Sequence, residues 1–288
     1  MIVDTLQPFL FDGLPVRGGI VALQRTYAEL RADRDYPAAV TTLLGEGAAA
    51  TALMASSLKF DGRLTLSLSG RGVMPMYLLQ SSHALGLRGM AILSGAVPPS
   101  PATLLAGSQC SVMVESASAR ERYQGIVEVR ADNLTGVLED FYSTSIQVPT
   151  KFVLAADAER AGGIMLQPAA GTDLAELGDD WDRLGFLAAT LAAPELGRRT
   201  LPELLRLLFH EDDLRLPDAR PVHFHCDCSR ERVERAVRML GRHEALATLA
   251  DQGRIEVTCE FCGKRRVLDA IDVDGLFAPH DEGSGAVH

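Results

Sequence analysis

Basic charge, aromatic rings and cysteine are all scarce in this chain of 288 residues, and each scarcity excludes something. Asp and Glu outnumber Lys and Arg by 38 to 28, a formal net charge of −10. A protein that lives by gripping nucleic-acid phosphates carries a basic face, so nucleic acid is not expected as the main partner. Aromatics make up 6% with a single Trp, too few for a base-stacking platform. No uninterrupted apolar run approaches the roughly 18 residues of a membrane span, and no membrane partner is expected. The opening MIVDTLQPFLFDG has no basic n-region and sets Asp4 and Asp12 around a short apolar run, which does not read as a secretory signal. Gly-x-Ser-x-Gly, His-Glu-x-x-His and Gly-x-x-x-x-Gly-Lys are absent, and an enzyme is not expected. What is present is ordinary globular material, 47% hydrophobic and 23% charged, in a chain long enough to bury a sizeable core.

The expected compartment is the cytoplasm, where thiols stay reduced. Five cysteines there read as metal ligands, redox thiols or buried core. Cys110 stands alone in the first half and reads as a small buried core residue. The others form Cys226-Asp-Cys228, thirty intervening residues, and Cys259-Glu-Phe-Cys262. Four thiols in two close pairs are what one tetrahedral Zn2+ needs, each pair offering two ligands from one short loop. Gly263 follows the second pair and suits a tight metal knuckle. The weighed alternatives are a pair of disulfides and four unrelated core cysteines. The one-residue spacer of Cys226 and Cys228 is unusual for a structural zinc site. A disulfide there closes only as a small strained ring, and strained disulfides are the labile, regulatory ones, so the site reads as a switch as well as a clamp. His223 and His225 flank the first pair and are expected outside a coordination sphere that four thiolates already fill.

The chain is expected to have an α+β fold in four parts. Residues 1–170 are nearly neutral, with 15 acids and 13 bases, and read as a mixed α/β core domain. Arg63–Ser69 alternates strictly, with Leu64, Leu66 and Leu68 on one face, and predicts a strand. Tyr123–Val129, Lys151–Ala155 and Gly162–Gln167 predict three more. Helices are predicted over Pro37–Leu58, broken or tightly packed near Gly45 and Gly47, and over Leu134–Tyr142. Gly18-Gly19 and Gly70-Arg-Gly72 read as turn or bulge glycines. Residues 171–220 read as a helical linker, acidic in its first part, with amphipathic helices over Trp181–Leu191 and Leu201–Phe209. Such short helices are marginal alone, so their apolar stripes need a docking surface. Residues 221–275 read as a small zinc-binding domain, with a helix capped by Ser229, a second over His243–Gln252 ending at Gly253, and a strand over Arg254–Thr258. A domain that small is marginal without a metal. Residues 276–288 read as a disordered tail.

These residues resemble one family, heat-shock protein thirty-three, the redox-switched holdase chaperone. The likeness rests on Phe209-His-Glu-Asp-Asp213, Cys226-Asp-Cys-Ser-Arg-Glu-Arg232 and Cys259-Glu-Phe-Cys-Gly263. It continues in Leu44-Gly-Glu46, Leu58-Lys-Phe-Asp-Gly62, Tyr123-Gln-Gly-Ile-Val127 and Ala161-Gly-Gly-Ile-Met-Leu-Gln167, in order along nearly the whole chain. Ile146 stands where a Glu is expected, and Arg266 and Leu268 where aromatics are.

The resemblance implies an ATP-independent chaperone of oxidative and heat stress. Its reduced form holds one Zn2+ on Cys226, Cys228, Cys259 and Cys262 and is inactive. Oxidation releases zinc and pairs Cys226 with Cys228 and Cys259 with Cys262. The zinc domain and linker then unfold, unfolding client proteins are held on exposed apolar surface, and active chains form homodimers. The competing reading is a zinc-ribbon module for RNA or a translation partner, drawing on Arg230, Arg232, Arg235, Arg238 and Arg242. From Asp227 to Asp274 nine bases stand against ten acids, which favours a solvated helix surface.

Overall fold

The computed structural model describes residues 4–57, 61–116 and 122–278. Leu58, the last residue of a predicted helix, Leu58–Phe60 of a quoted motif, and residues 279–288 of the expected tail lie outside them, whereas Leu276 and Phe277, which the sequence reading places in that tail, end the last helix instead. The fold is α+β, and the chain forms two compact units, residues 1–225 and 226–288.

The first unit opens with the hairpin β1 (Thr5–Phe11) and β2 (Val16–Leu23). Asp4 is buried because its carboxylate accepts the N–H groups of Gln24, Arg25 and Thr26 at the start of α1 (Arg25–Arg31). Next come α2 (Ala38–Ser57), the meander β3 (Gly62–Gly70), β4 (Met76–Ser82) and β5 (Gly86–Ile92), then α3 (Pro101–Leu105), β6 (Ser108–Ser116) and β7 (Arg122–Glu128). Helix α4 (Leu134–Phe141) runs into a π-turn at Tyr142–Ile146. It is followed by β8 (Lys151–Ala156), β9 (Ala161–Pro168), α5 (Leu174–Leu177), α6 (Asp179–Ala188) and α7 (Leu201–Leu208). Three two-residue strands close the unit: β10 (Leu214–Arg215), β11 (Arg220–Pro221) and β12 (His223–Phe224).

Two six-stranded sheets result. One has the order β10-β1-β2-β9-β8, with β11 also on β1. The other has the order β12-β5-β4-β3-β6-β7 and is antiparallel except for β12 along β5. The first sheet is covered on both faces, as period-two alternation of apolar residues allows. Leu6, Val21 and Met165 point inward to α2 and the second sheet, where Leu64, Leu66 and Leu68 meet them in one core. Phe9, Phe11, Ile20, Ile164 and Leu166 point outward and are covered by Trp181, Leu184 and Ala188 of α6 and by Leu204, Leu205 and Leu208 of α7. This outer face is the docking surface that the amphipathic pattern of residues 181–209 required.

Helix α2 has the length and apolarity of a membrane-crossing helix, at a mean hydropathy of 1.3, yet 72% of that stretch is buried inside the fold. It is a core helix wedged between the sheets, unbroken at Gly45 and Gly47. Gly47 is where it meets Tyr77, a fully buried ring whose hydroxyl donates to the Leu43 carbonyl at 2.7 Å. A Cβ at position 47 would lie 1.7 Å from that hydroxyl. Gly47→Ala is therefore expected to destabilise the first unit by about 3 kcal/mol, from overpacking and the displaced hydrogen bond. Denaturant unfolding measures it, and adding Tyr77→Phe should recover part of the loss. Gly18 and Gly19 correct the sequence reading, since both lie inside β2 and pair with β1 and β9. A Cβ on Gly18 would come within 2.4 Å of the Phe9 ring, so close packing of Phe9 explains that glycine better than a turn.

The second unit holds α8 (Arg230–Leu240), α9 (Arg242–Gln252), the hairpin β13 (Ile255–Thr258) and β14 (Arg265–Leu268), and α10 (Ala270–Phe277). Ser229 caps α8 by accepting from the Arg232 N–H, and Gly253 ends α9 in the left-handed conformation, as the sequence indicated. Six buried apolar residues make its core: Val233, Val237, Ala245, Ile255, Leu268 and Val273.

Candidate metal centre

Two loops of the second unit carry the cysteines. Cys226 and Cys228 precede α8, in a turn closed by the Ser229 N–H on the Asp227 carbonyl at 2.9 Å. Cys259 and Cys262 form the turn between β13 and β14. There the Cys259 N–H donates to the Lys264 carbonyl at 3.0 Å and the Gly263 N–H to the Cys259 carbonyl at 2.9 Å. Gly263 has φ +71°, so this turn needs the residue that reaches that region without cost. Arg266 donates a hydrogen bond from its guanidinium to the Cys228 carbonyl at 3.4 Å, and Leu268 is buried in the unit's core. Both positions thus support the site by means other than an aromatic ring.

The four Sγ atoms lie within 4.8 Å of one another. Cys226 approaches Cys259 at 3.7 Å and Cys228 approaches Cys262 at 3.2 Å. Thiolates bound tetrahedrally at about 2.3 Å from Zn2+ sit roughly 3.8 Å apart, so the quartet is close to the size that ion requires. A disulfide needs about 2.05 Å, and all four cysteines are free thiols. His223 and His225 do not enter the metal-competent group.

The electrostatics set the thiols apart from one another. Burial pushes the Cys226 thiol up to about 11, and burial also pushes Cys262 up. Cys259 is moved the other way: burial opposes its ionisation but is outweighed by the backbone N–H groups of Cys262 and Phe261 and by the neighbouring thiols. One sulfur is prepared to ionise first, and a divalent cation held by the quartet would supply charge that favours thiolates. Cys110 is different in kind. It is fully buried on β6, paired with Leu68 of β3 and Val127 of β7, and burial pushes it up to about 12, so it stays protonated and sheltered.

The arginines that an RNA-binding reading would use are partly engaged with acids. Arg230 meets Glu234 and Asp272, and Arg238 donates to the Leu276 carbonyl. Sequence patterning missed one polar clamp elsewhere, in the first unit. Arg183 of α6 forks onto both carboxylate oxygens of Asp212 at 2.7 and 2.9 Å and also reaches Asp180 at 3.0 Å. Periodicity cannot find a pair 29 residues apart, although Asp212 lies inside the Phe209–Asp213 motif.

Residues 4–269 match the family model described as Hsp33 protein. Among curated relatives, the 33 kDa chaperonin of Shewanella loihica is 36% identical over 96% of this chain and 96% of its own length. That of Pseudomonas syringae pv. tomato is 40% identical over 96% of this chain and 94% of its own. The crystal structure of the 33 kDa chaperonin from Thermotoga maritima superposes with a TM-score of 0.80, covering 95% of this chain and 97% of that one at 20% identity, a likeness of fold.

Proposed function

The chain belongs to the Hsp33 protein family, and from that premise we propose that it is a redox-regulated, ATP-independent chaperone whose switch is a zinc tetrathiolate. The observation that carries the reading is the convergence of Cys226, Cys228, Cys259 and Cys262 within 4.8 Å, on a unit whose core cluster holds six buried apolar residues among the described ones. The donor set is four thiols with no carboxylate or imidazole among them, the soft, closed set of a structural zinc site. One Zn2+ per chain would be held there, contributing folding free energy and no chemistry on a substrate.

The switch works through the sulfurs. Two thiolates and one hydrogen peroxide, with two protons, give one disulfide and two waters, so two peroxides consume the quartet and leave Zn2+ without anionic ligands. We assign the pairs as Cys226–Cys228 and Cys259–Cys262. Pairing within each loop leaves no sulfur joining the two loops once the metal has gone, so it accompanies loss of the second unit's fold. Residues 171–220 act as the linker that follows. Their release uncovers Phe9, Phe11, Ile20, Ile164 and Leu166, an apolar sheet face of the kind that holds unfolding clients. In this division of labour residues 1–170 hold clients and form the dimer of the oxidised state, and residues 221–275 carry the switch. A reducing cytoplasm suits free thiols of this kind.

The test is made on one sample. The reduced protein should carry one zinc and leave a heat-denatured client to aggregate. After peroxide at mild heat, zinc release measured with a metallochromic dye should rise together with suppression of light scattering. Cys110→Ala should behave as the parent, and Cys262→Ala should lose zinc. Client-holding that ignores oxidation overturns the switch, and peptide mapping that finds Cys226–Cys259 and Cys228–Cys262 overturns the pairing.

A further inference from the structure

Between the two sheets of the first unit lies a slot of about 170 Å³ that the switch does not use. Its walls are apolar: Met54 of α2, Val112 and Val114 of β6, and Phe141 and Ile146 on either side of the π-turn. The π-turn shapes the slot. It inserts an extra residue per turn at Tyr142–Ile146 and hands the chain to Gln147 at φ +59°, a left-handed conformation that a non-glycine residue adopts only where its surroundings impose it. Ser145 on this turn is pinned to the Tyr123 hydroxyl at 3.1 Å across the opening.

One polar group at the mouth carries charge. Arg17 lies near the start of β2 on the inward-facing register, donates to the Gln167 side-chain oxygen at 3.1 Å, and has no acidic partner among the described residues. Gln167 is itself buried and fixed by its own donation to Thr150 at 3.0 Å. An apolar slot with an uncompensated guanidinium at its entrance matches a molecule with an apolar body and an anionic head.

We propose that this slot binds a small amphiphilic carboxylate, its alkyl chain among Met54, Val112 and Phe141 and its carboxylate on Arg17. A dry cavity of about 150 Å³ takes up a benzene-sized molecule, so the chain that fits here has about six carbons. The apolar walls favour the alkyl chain, whereas a carboxylate at the mouth gains a charge-assisted pair that a neutral head cannot make. No cysteine lines the slot, so the site stands or falls independently of the metal switch.

Calorimetric titration of the full reduced protein with hexanoate, hexanol and hexylamine tests it. Hexanoate should bind saturably, one per chain and about tenfold tighter than hexanol, and hexylamine should bind more weakly than either. Arg17→Gln, at an exposed position, should remove the advantage of hexanoate and leave hexanol unchanged. Val112→Phe should block both, and, should that variant not fold, dodecanoate binding no tighter than hexanoate gives the same measure of slot depth. Hexanoate binding no tighter than hexanol, or unaffected by Arg17→Gln, overturns the proposal.

Discussion

Under the proposed function, stripping zinc from the reduced protein with a strong chelator is expected to unfold residues 226–278 and leave the core strands β1–β9 of the first unit folded. The asymmetry follows from the cores. The first unit has two extended apolar clusters built on two six-stranded sheets. The second has six buried apolar residues and one two-stranded hairpin, less than an isolated domain of that size needs. A structural zinc contributes roughly 10–16 kcal/mol of apparent binding free energy at neutral pH, more than the whole stability of a typical small domain. Removing it leaves Cys226 and Cys262 as thiols whose ionisation burial opposes, and no other closure for the loops. Hydrogen exchange is the direct measurement. Amides of Val233, Val237, Ile255 and Leu268 should lose protection on chelation, while those of β2, β3 and β9 keep theirs. A second unit that stays protected without its metal ends the argument that ligation and folding are one event. Cys228→Ser should reproduce most of the loss, because three thiolates leave the tetrahedron open.

How much of this was legible in the sequence depends on whether local pattern or distant packing decides a residue's fate. The cysteine quartet was readable because spacing alone brings two ligands from one loop, and Gly263 and Ser229 announce the turn and the cap beside it. The helices α6, α7 and α8 were readable because each carries an apolar stripe at helical period. Strand β1 was not: Pro8 interrupts it, and it is held as a strand by pairing with β2, β10 and β11, partners that lie up to about 215 residues away. The glycines of β2 mislead for the same reason, since close approach to Phe9 and not a turn explains Gly18. Helix α10 and strand β14 follow the metal knuckle and complete a core of six residues, a signal too sparse for periodicity to register. The Arg183–Asp212 fork joins a helix to a motif that sequence analysis recognised only as a likeness.

Breaking that fork should loosen residues 179–213 without any oxidant. Asp212 is largely covered and Arg183 about two-thirds covered, with side-chain exposures of 12% and 32%, and the two make a bidentate, charge-assisted pair. Asp212→Ala leaves the guanidinium with Asp180 alone, on a helix whose apolar face is otherwise the main thing holding it to the sheet. The expected cost is about 2 kcal/mol in the local opening of this segment, a discount on the value for a fully buried pair because Arg183 still reaches solvent. That raises the opened population roughly thirtyfold. Trp181, the chain's single tryptophan and nearly buried on α6, reports it. Its emission should shift to the red, and protease cuts should appear between residues 171 and 216 in the reduced, metal-loaded protein. The reversed pair Arg183→Asp with Asp212→Arg should restore part of the protection, which a merely disruptive substitution would not. Under the proposed function the consequence is directional. A chain with zinc in place but this clamp gone should hold clients partially before peroxide is added, because the uncovered face of β1, β2 and β9 is what the clamp keeps covered. If Asp212→Ala leaves both Trp181 emission and protease resistance unchanged, the apolar stripes alone secure the linker, and control of the switch rests wholly with the sulfurs.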